Sequence, residues 1–469
     1  GFMRYKAEIE KYIEDHKDEM FADIIKLCEI NSEKSEAKEG MPYGVGPYEA
    51  LVLTDKMSKE YGFKTKNYDN RVLAVDFSDK ETQLDILAHV DVVPAGEGWK
   101  ETEPFKPVIK DGRIYGRGTS DDKGPAIASL YAMRAIKELG IELSKNVRMI
   151  IGSDEECGMS CVKYYYTVEK EAPMTFSPDG AYPVVNIEKG KMDGKFSAKF
   201  DADKNLPRII SINAGTKSNV VPPKAVMLVE GLSAEAVKAV AAEVSKATGV
   251  DFEVKGSDKL EITALGANAH ASTPDNGKNA ITALLQLVTK LDFAKSKQIE
   301  LLHNLYKLMP HGDTKGEAIG IAKSDEKSGA LTLAFSIFNA DEEGFEGVFD
   351  LRAPVSAEPK FLLDTCKERF AKAGITFHTD SMIAPHEVPE DSDFVKTLLK
   401  CYEEYTGLDG YCIALGGLTY VHDLKNGVAF GAVFPGTDTR MHGADEFAVV
   451  DELVASAKIF AQAIVELCS

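Results

Sequence analysis

Histidines and carboxylates recur in this chain at the points where apolar, strand-like runs stop. They are His89 and Asp91 in LAHVDVV, Asp121 in GRGTSDDKG, Glu155 and Glu156 in GSDEECG, Asp179 in SPDG, and His442 in RMHGADEF. Such groups are costly to desolvate, so a fold that gathers several of them at buried strand ends generally needs cations at its centre. Two divalent metal ions would account for the set.

Composition narrows what such a chain can be. At 469 residues, 44% of them hydrophobic, it exceeds one ordinary core and suggests two domains. The formal net charge is -20, with the acidic residues spread along the whole length. A surface of that sign repels phosphates and anionic lipid, so nucleic acid and membrane are not expected partners. No apolar run approaches the roughly 20 residues that a membrane helix needs. The start, GFMRYKAEIEKYIEDH, reads as an amphipathic helix without an apolar signal core, and Gly1 and Phe2 read as additions ahead of Met3. The seven cysteines show no paired CxxC spacing, which predicts free thiols in a reducing compartment and hence a cytoplasmic protein.

Periodicity organises the chain into three stretches. Residues 1–185 alternate strand and helix: LDILAHV, VRMIIGS and MTFSP are short apolar runs suited to a sheet covered on both faces. Between the first two, KGPAIASLYAMRAIKELG predicts a helix with Pro125 in its first turn, a stripe of Ala126, Leu130, Met133 and Ile136, and a stop at Gly140. Residues 186–384 read as two rounds of paired strands and helices, an inserted α+β lid domain of two related halves. Residues 385–469 resume the first pattern, with strands YCIALGG and GVAFGAVF and a closing helix, DELVASAKIFAQAIVELC. The predicted fold class is therefore α/β: a doubly wound, mostly parallel sheet in a catalytic domain that the lid interrupts. In such sheets ligands bind beyond the carboxyl ends of the strands, where the acids and histidines fall.

The runs HVD, GRGTSDDKG, DEE, SPD and MHG, in this order and at these separations, closely resemble the metallopeptidases of the M20 clan. Chain length, SPDGAYPVVNIEKG and GGLTY are most similar to the PepV-type dipeptidases, which cleave unblocked dipeptides including β-alanyl ones. The resemblance implies two zinc ions per chain, with manganese or cobalt also accepted by nitrogen and oxygen ligands. It implies that His89, Asp121 and Asp179 bind one ion, that Asp121, Glu156 and His442 bind the other, and that a cis peptide follows the bridging Asp121. Asp91 would accept the second ring N–H of His89 and fix its tautomer. Glu155 would be the general base, and adjacent residues at a strand end point apart, which separates it from Glu156. From the lid, His270 in GANAHAS would donate to the developing oxyanion, and Asn219 in SNVVP and Arg352 in FDLRAP would hold the substrate. The doubled lid pattern would let one chain supply the whole site, which favours a monomer.

Each residue also has a plainer reading. A lone strand-end histidine is usually a solvated or capped side chain, and the glycines of GRGTSDDKG are a turn that lacks the spacing of a phosphate-binding loop. Glu155 could be a surface acid, His270 a buried satisfied side chain, Asn219 a turn residue and Arg352 a salt-bridged strand residue. Cys157 and Cys161 lack a neighbouring histidine and predict no separate zinc site. Trp99 could line a cleft or merely pack. The expected function is a two-zinc dipeptidase acting on small dipeptides. The alternatives are an N-acyl amino acid deacylase of the same clan and a non-catalytic metal-binding protein.

Overall fold

LDILAHV lies in the strand Thr82–His89, which pairs in parallel with Asn146–Gly152 on one side and Met174–Ser177 on the other. The computed structural model describes residues 3–469, so Gly1 and Phe2, expected as additions, lie outside the described residues. The chain divides into two compact units. One comprises residues 1–187, 387–413 and 418–469; the other comprises 188–386 with 414–417.

In the first unit the sheet runs in the order Lys64–Tyr68, Val72–Asp76, Asn146–Gly152, Thr82–His89, Met174–Ser177, Gly427–Ala429, Val184–Glu188. Its middle strands are parallel, and antiparallel pairs flank them. Alternation sends Leu73, Val75, Leu84, Ile86, Val147, Met149 and Ile151 to one face, where they meet side chains of helices Lys6–Cys28, Lys123–Glu138 and Val450–Cys468. Val72, Ala74, Leu87 and Ile150 go to the other, beneath Cys161, Val162 and Tyr165 of the helix Ser160–Val168. Each fully buried aliphatic side chain contributes about 1.5–3 kcal/mol. A one-residue slip would misplace every one of them, so the two apolar sets fix the register that brings His89 to the strand end.

The second unit is built on one antiparallel eight-stranded sheet that takes in both rounds of strands read from the sequence. Phe349, Leu351 and Ala353 enter its apolar core, so Asp350 and Arg352, which alternate with them, project from the opposite face. Helices Ala234–Thr248 and Ala280–Lys290 begin at the side-chain caps Ser233 and Asn279, which the sequence places just ahead of each apolar stripe.

Two expected strands are shorter than read. GVAFGAVF breaks into Gly427–Ala429 and Ala432–Val433, because Gly431 sits at φ 72 in the left-handed region that interrupts a strand. YCIALGG keeps only Cys412–Leu415. No helix among the described residues is long and apolar enough to cross a membrane. All seven cysteines are unpaired.

Candidate active site

His89 ends its strand fully buried, and four carboxylates converge on it. From its Nε2, Asp121 Oδ1 lies at 3.1 Å, Asp179 Oδ2 at 3.2 Å, Glu155 Oε2 at 3.3 Å and Glu156 Oε1 at 3.6 Å. His442 comes from the far end of the chain and places its Nε2 2.9 Å from Asp121 Oδ2 and 3.3 Å from Glu156 Oε2. The two oxygens of Asp121 thus face two different imidazoles, with Glu156 beside both. The Asp121–Asp122 peptide is cis.

Local structure explains how each group arrives. Asp179 follows the parallel strand Met174–Ser177. Asp121 stands in the loop between Arg113–Tyr115 and the helix Lys123–Glu138, where Gly118 has φ +91 and a Cβ would meet Val92 Cγ1 at 2.9 Å. His442 does not end a strand. It occupies a loop at φ 67, and the sheet aligns it only indirectly, through Phe447–Val449 pairing with Arg113–Tyr115. Glu155 and Glu156 open a single 3-10 turn, Glu155–Cys157, rather than extending a strand end, so both reach His89 instead of diverging. The physical reason is Asp91. Its carboxylate accepts the backbone N–H of Glu155 at 3.1 Å and that of Glu156 at 3.0 Å, which folds the segment into a turn.

Asp91 also meets the other face of His89, whose Nδ1 lies 3.0 Å from the Asp91 carbonyl and 3.2 Å from Oδ1. Both are acceptors, so Nδ1 carries a proton, which leaves Nε2 as the ring nitrogen that faces the carboxylates and would bind a cation. Burial opposes a charge on His89, but Asp179, Glu155, Asp91 and Asp121 together hold its pKa well above the usual imidazole value. Burial likewise opposes ionisation of Asp121, yet hydrogen bonds from His442 and His89 keep it well below the ordinary carboxylate range. Burial and the charge of Asp179 push Glu155 well up. Burial raises Glu156 to about 7 and Asp179 to about 6. Hydrogen bonds to Asp121 and Glu156 raise His442 to about 10.

This pattern fits a cation-binding centre. Glu155, Glu156 and Asp179, buried against one another, resist ionising, while the buried imidazole between them is driven to carry a charge. Divalent cations among the oxygens and the two Nε2 atoms would resolve both conflicts, and the donors are the hard oxygen and nitrogen types such ions take. Two triads lie close enough to share an ion: His89, Asp121 and Glu156, and His89, Glu155 and Asp179. The second includes Glu155, which the resemblance assigns to proton transfer.

In the second unit, His270 lies on the two-residue strand Ala269–His270, paired with Val220–Val221, and Asn219 immediately precedes that partner. The backbone N–H of Ser272 donates to His270 Nδ1 at 3.1 Å, so the neutral ring carries its proton on Nε2. Burial and nearby Arg352 lower the His270 pKa and keep the ring neutral. Asn219 is exposed. Arg352 is buried; it donates to Asp350 from Nε at 2.7 Å and Nη2 at 3.0 Å, and to the Gly416 carbonyl from Nη1 at 2.8 Å. One N–H on each terminal nitrogen remains. Trp99 donates to the Ala95 carbonyl at 2.8 Å and stacks near Arg117, a packed position.

Sequence reasoning gave no role to Arg117 or Glu446. The Glu446 carboxylate accepts four N–H groups of the loop that carries Asp121, one of them from the Arg117 side chain. The sequence signal was present: like the other buried acids, Glu446 adjoins an apolar run, FAVV.

Hard nitrogen and oxygen ligands, some following parallel strands and others brought in by loops, form a candidate metal centre at one edge of an α/β sheet. The chain belongs to peptidase family M20/M25/M40, whose profile matches residues 86–466, and it is a metallopeptidase. It is 35% identical over 461 residues to the Beta-Ala-Xaa dipeptidase of Lactobacillus delbrueckii subsp. lactis, covering 97% of each chain. It is also 35% identical over 459 residues to the protein YtjP of Bacillus subtilis (strain 168), covering 96% of this chain and 97% of that one. Among solved structures it shares its fold with human carnosine dipeptidase 1, at a TM-score of 0.60 and 13% identity, covering 99% of both chains. The fold likewise matches aminoacylhistidine dipeptidase from Vibrio alginolyticus, at a TM-score of 0.60 and 12% identity, covering 96% of both.

Proposed function

We propose that this protein is a cytoplasmic dipeptidase that holds two zinc ions and hydrolyses unblocked dipeptides, β-alanyl ones included. The observation that carries the reading is Asp121, whose oxygens face His89 on one side and His442 on the other, in a chain alignable end to end with a Beta-Ala-Xaa dipeptidase. His89, Asp121 and Asp179 would hold one ion, and Asp121, Glu156 and His442 the other. Bound there, the pair would supply Lewis acidity toward the scissile carbonyl and lower the pKa of water in the site.

The remaining chemistry falls to the chain's own side chains. Asp91 keeps the proton of His89 on Nδ1. Glu155, beside the ligand set, takes a proton from the attacking water and returns it to the departing amine. His270 offers its Nε2–H to the developing oxyanion, a role its neutral tautomer suits. Arg352 has an N–H free on each terminal nitrogen for the substrate carboxylate, although Asp350 fixes its plane, and Asn219 adds a further polar contact. We propose that a single chain suffices for all of these roles.

The test is turnover of β-alanyl-histidine and of an N-acetyl amino acid by zinc-, manganese- or cobalt-loaded protein. Cleavage of the free dipeptide with little attack on the acylated substrate is expected. The reverse preference would reassign the protein as a deacylase, and metal uptake without hydrolysis of any dipeptide would make it a binding protein.

A further inference from the structure

We propose that Glu446 and Arg117 form a positioning pair that ties three segments of the candidate metal centre together. The inference rests on the two-metal reading above and concerns residues to which that reading gives no role. Glu446 is fully buried. Its Oε1 accepts from Arg117 Nη1 at 2.8 Å and from the Gly118 N–H at 3.1 Å. Its Oε2 accepts from the N–H groups of Ser120 and Asp121, both at 3.0 Å. Arg117, also buried, turns its Nη2 to the carbonyls of Pro94 and Ala95, each at 3.1 Å.

The sheet geometry shows why a carboxylate stands here. Phe447–Val449 pairs antiparallel with Arg113–Tyr115, and the Gly116 N–H donates to the Glu446 carbonyl at 2.9 Å as the ladder ends. Beyond that point the loop to Asp121 has no strand to pair with. Its amides point inward, and buried donors without partners cost about 1–3 kcal/mol each. Glu446 takes over as the acceptor for three of them.

Apolar residues of similar volume could stabilise this interior at least as well as an ion pair. What the carboxylate adds is direction. It holds the backbone amide of Asp121, the residue whose side chain lies between His89 and His442. It sits four residues beyond His442, and through Arg117 it fixes the segment that follows His89 and Asp91. The pair therefore sets the spacing of ligands drawn from three distant parts of the chain, and acts on metal affinity through Asp121 rather than by contact with an ion.

Glu446→Gln tests this, because it preserves volume while turning an NH2 group toward two N–H donors. The expected result is a roughly 10–100-fold loss of zinc and cobalt affinity in chelator competition. The absorption bands of the cobalt-loaded protein should shift, and kcat should fall with KM little changed. The melting temperature of the metal-free variant should fall as well, because two amide donors and the Arg117 charge lose their acceptor, so affinity and cobalt bands are read on variant protein shown by circular dichroism to be folded. Arg117→Lys, which keeps the charge but loses the fork to Pro94 and Ala95, should show a smaller loss in the same direction and decides the matter if the first variant does not fold. Parental metal affinity and cobalt bands in Glu446→Gln overturn the proposal, as does lowered melting with affinity unchanged. If the parent binds metal and the folded variants bind it equally, only the positioning role fails. A parent chain that takes up neither metal overturns the two-metal reading and this proposal together.

Discussion

Glu155 and Glu156 are neighbours in sequence with different proposed duties, and their shared turn makes the separation testable. In Glu155→Ala, dipeptide turnover is expected to fall about 10²–10⁴-fold while metal content, read by elemental analysis, stays at the parental level. Loss of metal together with activity would move Glu155 into the ligand shell, a placement its 3.3 Å approach to His89 also allows. His270→Ala is expected to lower kcat about 10²–10³-fold with metal content unchanged; near-parental rates would remove its oxyanion role. At this scale the sequence disclosed residue types and order, not orientation. His89, Asp121, Glu155, Glu156, Asp179 and His442 were all nameable as candidates, and all gather in the first unit. The divergence expected of Glu155 and Glu156 failed because a carboxylate more than 60 positions earlier, Asp91, winds them into a turn.

Elements with strong local signals were the legible ones. The helix Lys123–Glu138 follows from Pro125, its apolar stripe and Gly140, and Ala234–Thr248 from Ser233 and Gly249. The loops were not legible, since their shape depends on distant acceptors: nothing near Ser120 announces that Glu446 will receive its N–H. The second unit offers a similar case in Asp325, which accepts hydrogen bonds from the hydroxyls of Ser328 and Ser356, both at 2.7 Å, and from their backbone N–H groups. Burial opposes its charge, but these donors prevail and hold its pKa at about 2. A depressed carboxylate pKa stabilises above the unfolded value, near 3.9, and that stability disappears as pH falls through the folded value. Asp325→Asn is therefore expected to cost about 1 kcal/mol at pH 7 after solvent screening. In urea titrations the difference from the parent should shrink between pH 4 and pH 2. A deficit independent of pH would locate the effect in packing instead.

On the scale of the whole molecule, each unit has its own apolar core, while the candidate metal ligands all belong to the first. Cation binding should therefore stabilise the units unequally. An ion present at a thousandfold excess over its dissociation constant adds about 4 kcal/mol to the state that binds it. Trp99, the only tryptophan, lies in the first unit and provides a selective probe. Chelation is expected to lower the melting temperature followed by Trp99 fluorescence, and to leave a later transition, seen by far-ultraviolet circular dichroism, nearly in place. Equal shifts in both signals would show that the units unfold as one.

The strand Gly427–Ala429 lies in the sheet between Met174–Ser177 and Val184–Glu188, although about 240 residues separate it from them in sequence. During synthesis, then, the first unit waits with a gap between two of its strands until about 240 further residues have been added. The second unit, whose strands lie almost entirely within one continuous stretch, has no such delay. The order of birth is thus inverted: the part begun first is finished last, and an interrupted nascent chain would display an unfilled, adhesive seam where the complete enzyme has a closed interior.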